Sequence, residues 1–178
     1  MPNMSKRQNV NFIAALVVVA LISSVNAGDA IVGRESDATI RARVVELVNN
    51  ARSKSRRCGS ERFAAAPPLD LSRKLSDAAG HHARDMARKK FFDHRGTDGS
   101  QPRDRVLRAG YASRLTGENI AFGPVSAEEA VSGWLASPGH CENIMDPRFQ
   151  HIGVGLATGR KRGSIYWVQD FGAPQPGR

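Results

Sequence analysis

From Asp37 onward apolar side chains recur at helical spacing. Ile40, Val44, Leu47, Val48 and Ala51 fall at i, i+4, i+7, i+8 and i+11, which predicts a first amphipathic helix. Pro67-Pro68 halts the segment that follows. Asp70 can cap a second helix, with Leu71, Leu75, Ala78, Ala79, His82 and Met86 as its buried stripe, running to about Lys90. Phe91-Phe92-Asp93-His94 leaves that helix for a loop enforced by Gly96 and Gly99, and Pro102 opens a short third helix carrying Val106 and Leu107 and ended by Gly110. Ser126 followed by Glu129 is a capping box, so a further helix carries Ala127, Ala130, Val131, Trp134 and Leu135 on its buried face. Pro138-Gly139 breaks it and hands the chain to His140 and Cys141 on a loop-like segment, while Glu118 is expected in the glycine-bounded turn before the helix.

After Pro147 the period changes from helical to alternate. Ile152, Val154 and Leu156 point one way, and Ile165 to Phe171 forms an apolar, aromatic run, with a basic hairpin turn from Gly159 to Gly163 between them. A further strand is expected at Asn119 to Phe122. Helices come first and strands last, which predicts an α+β architecture of helices packed on a small antiparallel sheet.

The beginning of the chain changes the compartment. Lys6 and Arg7, an apolar run from Phe12 to Ile22 and the small residues before Ala27 read as a cleavable export signal over residues 1–27. That run is shorter than the ~20 residues a helix needs to span a bilayer. A polar leader (28–36), one domain (37–173) and a flexible tail (174–178) are expected to follow, in a secreted or periplasmic protein without a transmembrane segment in its mature chain. In an oxidising compartment the two cysteines, Cys58 and Cys141, predict one disulfide closing a loop of about 80 residues, worth on the order of 4 kcal/mol in the chain-entropy model. Two buried thiols are the alternative. Cleavage would remove Lys6 and Arg7 and no acid, lowering the net charge from +9 to a still basic +7. Such a surface favours acidic wall polymers or anionic lipid headgroups, and export excludes nucleic acid as the biological partner.

Of the five histidines, His82 lies on the apolar stripe and is expected in the core, His81 at its edge, and His151 faces away from Ile152. His94 and His140 stand at element ends, where function concentrates. With Glu118 they form the candidate catalytic set: two imidazoles and a carboxylate, enough for three ligands to zinc or another divalent cation with a fourth position open. Equally, the Glu118 carboxylate can accept backbone N–H bonds and hold its turn.

The segments FFDH, AGY, GENIAFG, WLASPGHCENIM, FQHIGVG and YWVQDFG, in this order, resemble the bacterial branch of the CAP superfamily, the group of cysteine-rich secretory, antigen 5 and pathogenesis-related 1 proteins with the SCP domain. The similarity covers residues 40–173. It implies a three-layer α-β-α sandwich with a central groove that in eukaryotic members holds two histidines and two glutamates able to bind a divalent metal. His94 matches the first histidine and Glu118 the first glutamate. Ser137 stands near the second glutamate and Arg148 in the second histidine's segment, so His140 becomes the substitute lining a ligand groove of His94, Glu118, Asn119 and His140.

The resemblance and the lack of a complete catalytic constellation imply a non-enzymatic module, expected to be a monomer, that binds a lipid, a sterol or an anionic cell-envelope component and requires no cofactor. The alternative is a metal-dependent, hydrolase-like enzyme using His94, Glu118 and His140. A third reading is basic adhesion to polyanions without any role for the groove.

Overall fold

The computed structural model describes residues 36–160 and 164–176. The expected export signal, most of the polar leader and the centre of the basic turn lie outside the described residues. Ser36 starts the first helix by accepting the Thr39 N–H on its hydroxyl at 3.2 Å. From there the chain runs α1 (Asp37–Arg52), β1 (Arg56–Cys58), β2 (Glu61–Phe63), β3 (Asp70–Leu71), α2 (Arg73–Lys89), α3 (Pro102–Arg108), β4 (Ser113–Phe122), α4 (Ala127–Ala136), α5 (Pro138–Met145), β5 (His151–Thr158) and β6 (Ile165–Pro174).

Four strands form the central sheet in the order β3-β5-β6-β4. The β5–β6 and β6–β4 pairs are antiparallel, and β3 adds to β5 in parallel. β1 and β2 form a separate hairpin turned at Gly59, whose positive φ of 59° suits a residue without a side chain. The helices sit in two layers. Ile152, Val154, Trp167 and Phe171 pack with Val44 and Val48 of α1, Trp134 of α4 and Ile144 of α5, whereas Ile120, Tyr166 and Val168 pack with Ala79, Ala83 and Met86 of α2. This is an α-β-α sandwich.

Strand alternation assigns each side chain to a layer. Register places Gly153, Asp170 and Glu118 in one row across β5, β6 and β4, with Gly155, Val168 and Ile120 in the next row on the same face. Gly153 and Gly155 are required there: a Cβ on either would overlap the α2 backbone, at Leu75–Ser76 and Ala79–Gly80 respectively. The helix therefore lies directly on the sheet. On the opposite face Cys58 is bonded to Cys141, fastening the small hairpin to α5.

Several expectations need correction. Asp70 and Leu71 form β3 rather than the start of a helix. Ser72 caps α2 in their place, accepting the Leu75 N–H, and Leu71 is 48% exposed. The hydroxyl of Ser126 does accept the Glu129 N–H, but the Glu129 carboxylate accepts from Val125, one residue further back than a capping box requires. Pro138 ends α4 and also opens α5 at its first position, where a missing N–H costs nothing, so His140 and Cys141 are helical. Glu118 lies within β4 rather than in a turn, because that strand begins at Ser113, well before Asn119.

Candidate functional site

His94 is positioned from α2. Lys90 ends that helix in the left-handed region, and the next segment is pinned back onto the helix at two points. His82, completely buried as expected of a core histidine, shares a hydrogen bond between its Nε2 and the Asp93 carbonyl at 2.9 Å, and Asp85 accepts the Thr97 N–H and hydroxyl, each at 3.0 Å. His94 is carried between these anchors with its side chain 48% exposed.

Glu118 comes from the middle of β4, and only 1% of its side chain is exposed. Its Oε1 lies 2.7 Å from His94 Nδ1, and its Oε2 accepts from Arg105 Nη2 at 2.6 Å. Arg105 reaches in from α3, itself 3% exposed, and steadies its guanidinium by donating to the Ser100 carbonyl at 3.0 Å. A buried carboxylate needs such a partner, because leaving its charge uncompensated in a low-dielectric interior costs several kcal/mol.

Directly across the strand pair stands Asp170, fully buried; no N–H among the described residues donates to its carboxyl, and Glu118 is the neighbour that can accept its proton. Burial, and then the neighbouring Glu118 charge, hold its carboxyl well above the usual carboxylate range, outweighing the opposing pull of Arg105. The row therefore sets an ion-paired carboxylate beside an acid biased toward its protonated form.

His140 approaches from the other layer, in the first turn of α5. Its carbonyl accepts from Asn119 Nδ2 at 3.1 Å, and Asn143 Nδ2 donates to Asn119 Oδ1 at 2.9 Å and to the Glu118 carbonyl at 3.3 Å. Asn119 is completely buried, so its amide docks α5 onto β4. The hydrogen bond to Glu118 raises the His94 pKa, whereas burial and then the His94 charge lower that of His140. The two imidazoles, held by opposite layers across the outer edge strand of the sheet, are thus biased toward opposite protonation states.

The expected metal site does not fit these residues. Both Glu118 oxygens are engaged, and Arg105 already supplies the positive charge. Arg148 is exposed and paired with Asp146 at 2.6 Å, and Ser137 stands between α4 and α5. Among the described residues no three His, Cys, Asp or Glu side chains are grouped so as to hold a metal ion.

Two residues of the cluster escape sequence reasoning. Asp170 left a signal, since alternation within Ile165–Phe171 puts it on the same face as the apolar Tyr166 and Val168. Arg105 left none, because its neighbours in α3 give no reason for one arginine to be buried and others not.

The chain is 38% identical over 129 residues to YkwD, an uncharacterized protein of Bacillus subtilis, an alignment covering 72% of this chain and 45% of that protein. It is 31% identical over 103 residues to the membrane protein YlbC of the same organism, covering 58% of this chain and 28% of that one. The chain thus spans less than half the length of either relative. Among solved structures, an extracellular SCP-domain protein from Bacillus anthracis matches with a TM-score of 0.62 and 26% identity over 79% of this chain and 44% of its own. A model described as CAP, the cysteine-rich secretory protein family, matches residues 45–171, and the chain belongs to that family.

Proposed function

We propose that this chain is an exported CAP-domain binding module that takes a lipid or cell-envelope ligand across the outer edge of β4, between His94 and His140. The observation that carries this reading is the state of Glu118. A hydrolytic site would need that carboxylate to reach water or substrate, yet it is 1% exposed and held at both oxygens by His94 and Arg105. A general base needs access to the proton it removes. The two part-exposed imidazoles, one biased toward its charged form and one toward its neutral form, instead offer a donor and an acceptor to a polar headgroup. The extracellular SCP-domain protein of Bacillus anthracis, similar over most of this chain, supports the exported location.

The test is a calorimetric titration of the protein with a short-chain phosphatidylglycerol kept monomeric in solution and, separately, with soluble cell-wall fragments. One of the two is expected to bind, with His94→Ala weakening it about tenfold, the loss of a charge-assisted hydrogen bond, and His140→Ala about fivefold, the loss of a neutral one. Absence of binding in both titrations sinks the reading. Breakdown of either ligand that disappears in Glu118→Gln replaces it with the enzymatic alternative.

A further inference from the structure

At the end of the sheet where α2 stops and β4 runs out, two phenylalanines face solvent. Phe92 is 50% exposed and Phe122 is 52% exposed, and their ring centroids lie 6.3 Å apart. Phe122 leans in turn on Tyr166, with centroids 4.7 Å apart. An aromatic pair on the surface gives up the favourable free energy that burial of each ring would bring.

Basic side chains flank the pair. Arg88 and Lys89 form the last turn of α2, Lys90 caps it, and Arg160 follows β5; all four are exposed. Arg88, Lys89 and Arg160 line a concavity of about 460 Å³ together with Ala87, Thr158 and Gly159. A Cβ on Gly159 would lie 3.3 Å from Tyr166 Cε2, so this basic hollow abuts the ring that supports Phe122. Two acids stand beside them, Asp85 at 3.8 Å from Arg88 and Asp93, which accepts the Arg95 N–H; four basic side chains against these two carboxylates leave the patch positive.

We infer that this end of the molecule docks on an anionic lipid bilayer, with Phe92 and Phe122 entering the headgroup boundary and Arg88, Lys89, Lys90 and Arg160 meeting the lipid phosphates. The combination selects that partner. A soluble polyanion would use the cations and leave the rings in water, whereas a bilayer interface takes aromatic rings and basic headgroup contacts together. The surface adjoins the His94–His140 site, Phe92 standing two residues before His94, but its basic side chains come from the end of α2 and the turn after β5, and it extends the proposed function from binding a single ligand to resting on a membrane.

Vesicle sedimentation tests this, using phosphatidylcholine vesicles with and without phosphatidylglycerol. The protein is expected to bind only the anionic vesicles. The double variant Phe92→Ser/Phe122→Ser, unchanged in charge, should bind about tenfold or more weakly. Arg88→Ala/Lys89→Ala/Arg160→Ala should lose on the order of a hundredfold, at about fivefold per basic residue, with a shallower salt dependence. As a control, Arg57→Ala/Arg62→Ala removes two exposed charges from the β1–β2 hairpin and should change binding less than about twofold. All the substituted side chains are surface ones, and thermal melting establishes that each variant is folded. Three outcomes overturn the inference: no binding to anionic vesicles, wild-type binding by the phenylalanine variant, or a loss in the hairpin control matching that of the α2 variant. Equal displacement of wild type and phenylalanine variant by soluble wall teichoic acid also overturns it, in favour of a polymer partner. The monomeric-lipid titration is read with His94→Ala and His140→Ala and the vesicle test with the phenylalanine and α2 variants, so either reading can fail alone.

Discussion

The two faces of the central sheet are built differently. Toward α1, α4 and α5, large side chains interlock: Trp134, Trp167, Phe171 and Ile152 are each at most 1% exposed, and the buried Cys58–Cys141 bridge ties the β1–β2 hairpin into the same cluster. Toward α2 the sheet presents Gly153 and Gly155, so helix backbone rests on strand backbone, and the same row continues into Asp170 and Glu118. Side chains can shift to absorb a change; two backbones in contact cannot. The first face is therefore a tolerant core, and the second is a rigid plate holding a buried charged cluster at fixed geometry.

The largest expected effect separates these two modes of packing. Gly155→Ala adds one carbon into the α2 backbone and should cost more than about 4 kcal/mol or abolish folding, while Val154→Ala on the opposite face should cost about 2 kcal/mol. Urea unfolding of both measures the contrast, and similar costs would dissolve it.

Next in size is the ion pair. Arg105→Met strands the Glu118 charge and should destabilise by about 3–5 kcal/mol, most of it recovered when Glu118→Gln is added. A double-mutant cycle reads that coupling, and additive losses would show that Arg105 acts by packing alone.

A smaller effect of opposite sign is expected one strand over. The fold raises the Asp170 carboxyl well above its ordinary value of 3.8, chiefly by burial, so it holds its proton to higher pH than in the unfolded chain. The stability it contributes is full below that pH and declines as pH rises toward the raised folded value. Asp170→Asn should therefore match wild type near pH 4 and exceed it by on the order of 1 kcal/mol at neutral pH, as unfolding at the two pH values would show. Equal stability at both would mean the carboxyl ionises freely.

The smallest effect lies at the surface. The His94 pKa is raised from 6.5 by its bond to Glu118, so this bond stabilises the fold below that pH and is lost as pH rises through the folded value. His94→Gln should cost under about 1 kcal/mol near pH 5.5 and close to nothing at pH 9, because the side chain is half exposed and screened. Melting curves across that range would show the loss, and a pH-independent cost would exclude the ionic contribution.

The sequence was most informative where one local rule acted alone. The 3.6-residue stripe of Val44 and Val48, the serine before Ala127, the alternation of Ile152 and Val154 and the six ordered motifs set the helices, the main strands and the family without reference to distant contacts. Local cues competed around Asp70, where an acid before an apolar stripe reads as a helix cap; pairing with β5 made it a strand, and Ser72 took over the cap. Tertiary structure alone decided the site. The proximity of Arg105, His94 and Glu118 depends on α3 and the loop after α2 folding over β4, and the raised pKa of Asp170 depends on burial across a strand pair. Those interactions join residues far apart in the chain, through charge and desolvation that exist only once the layers have closed.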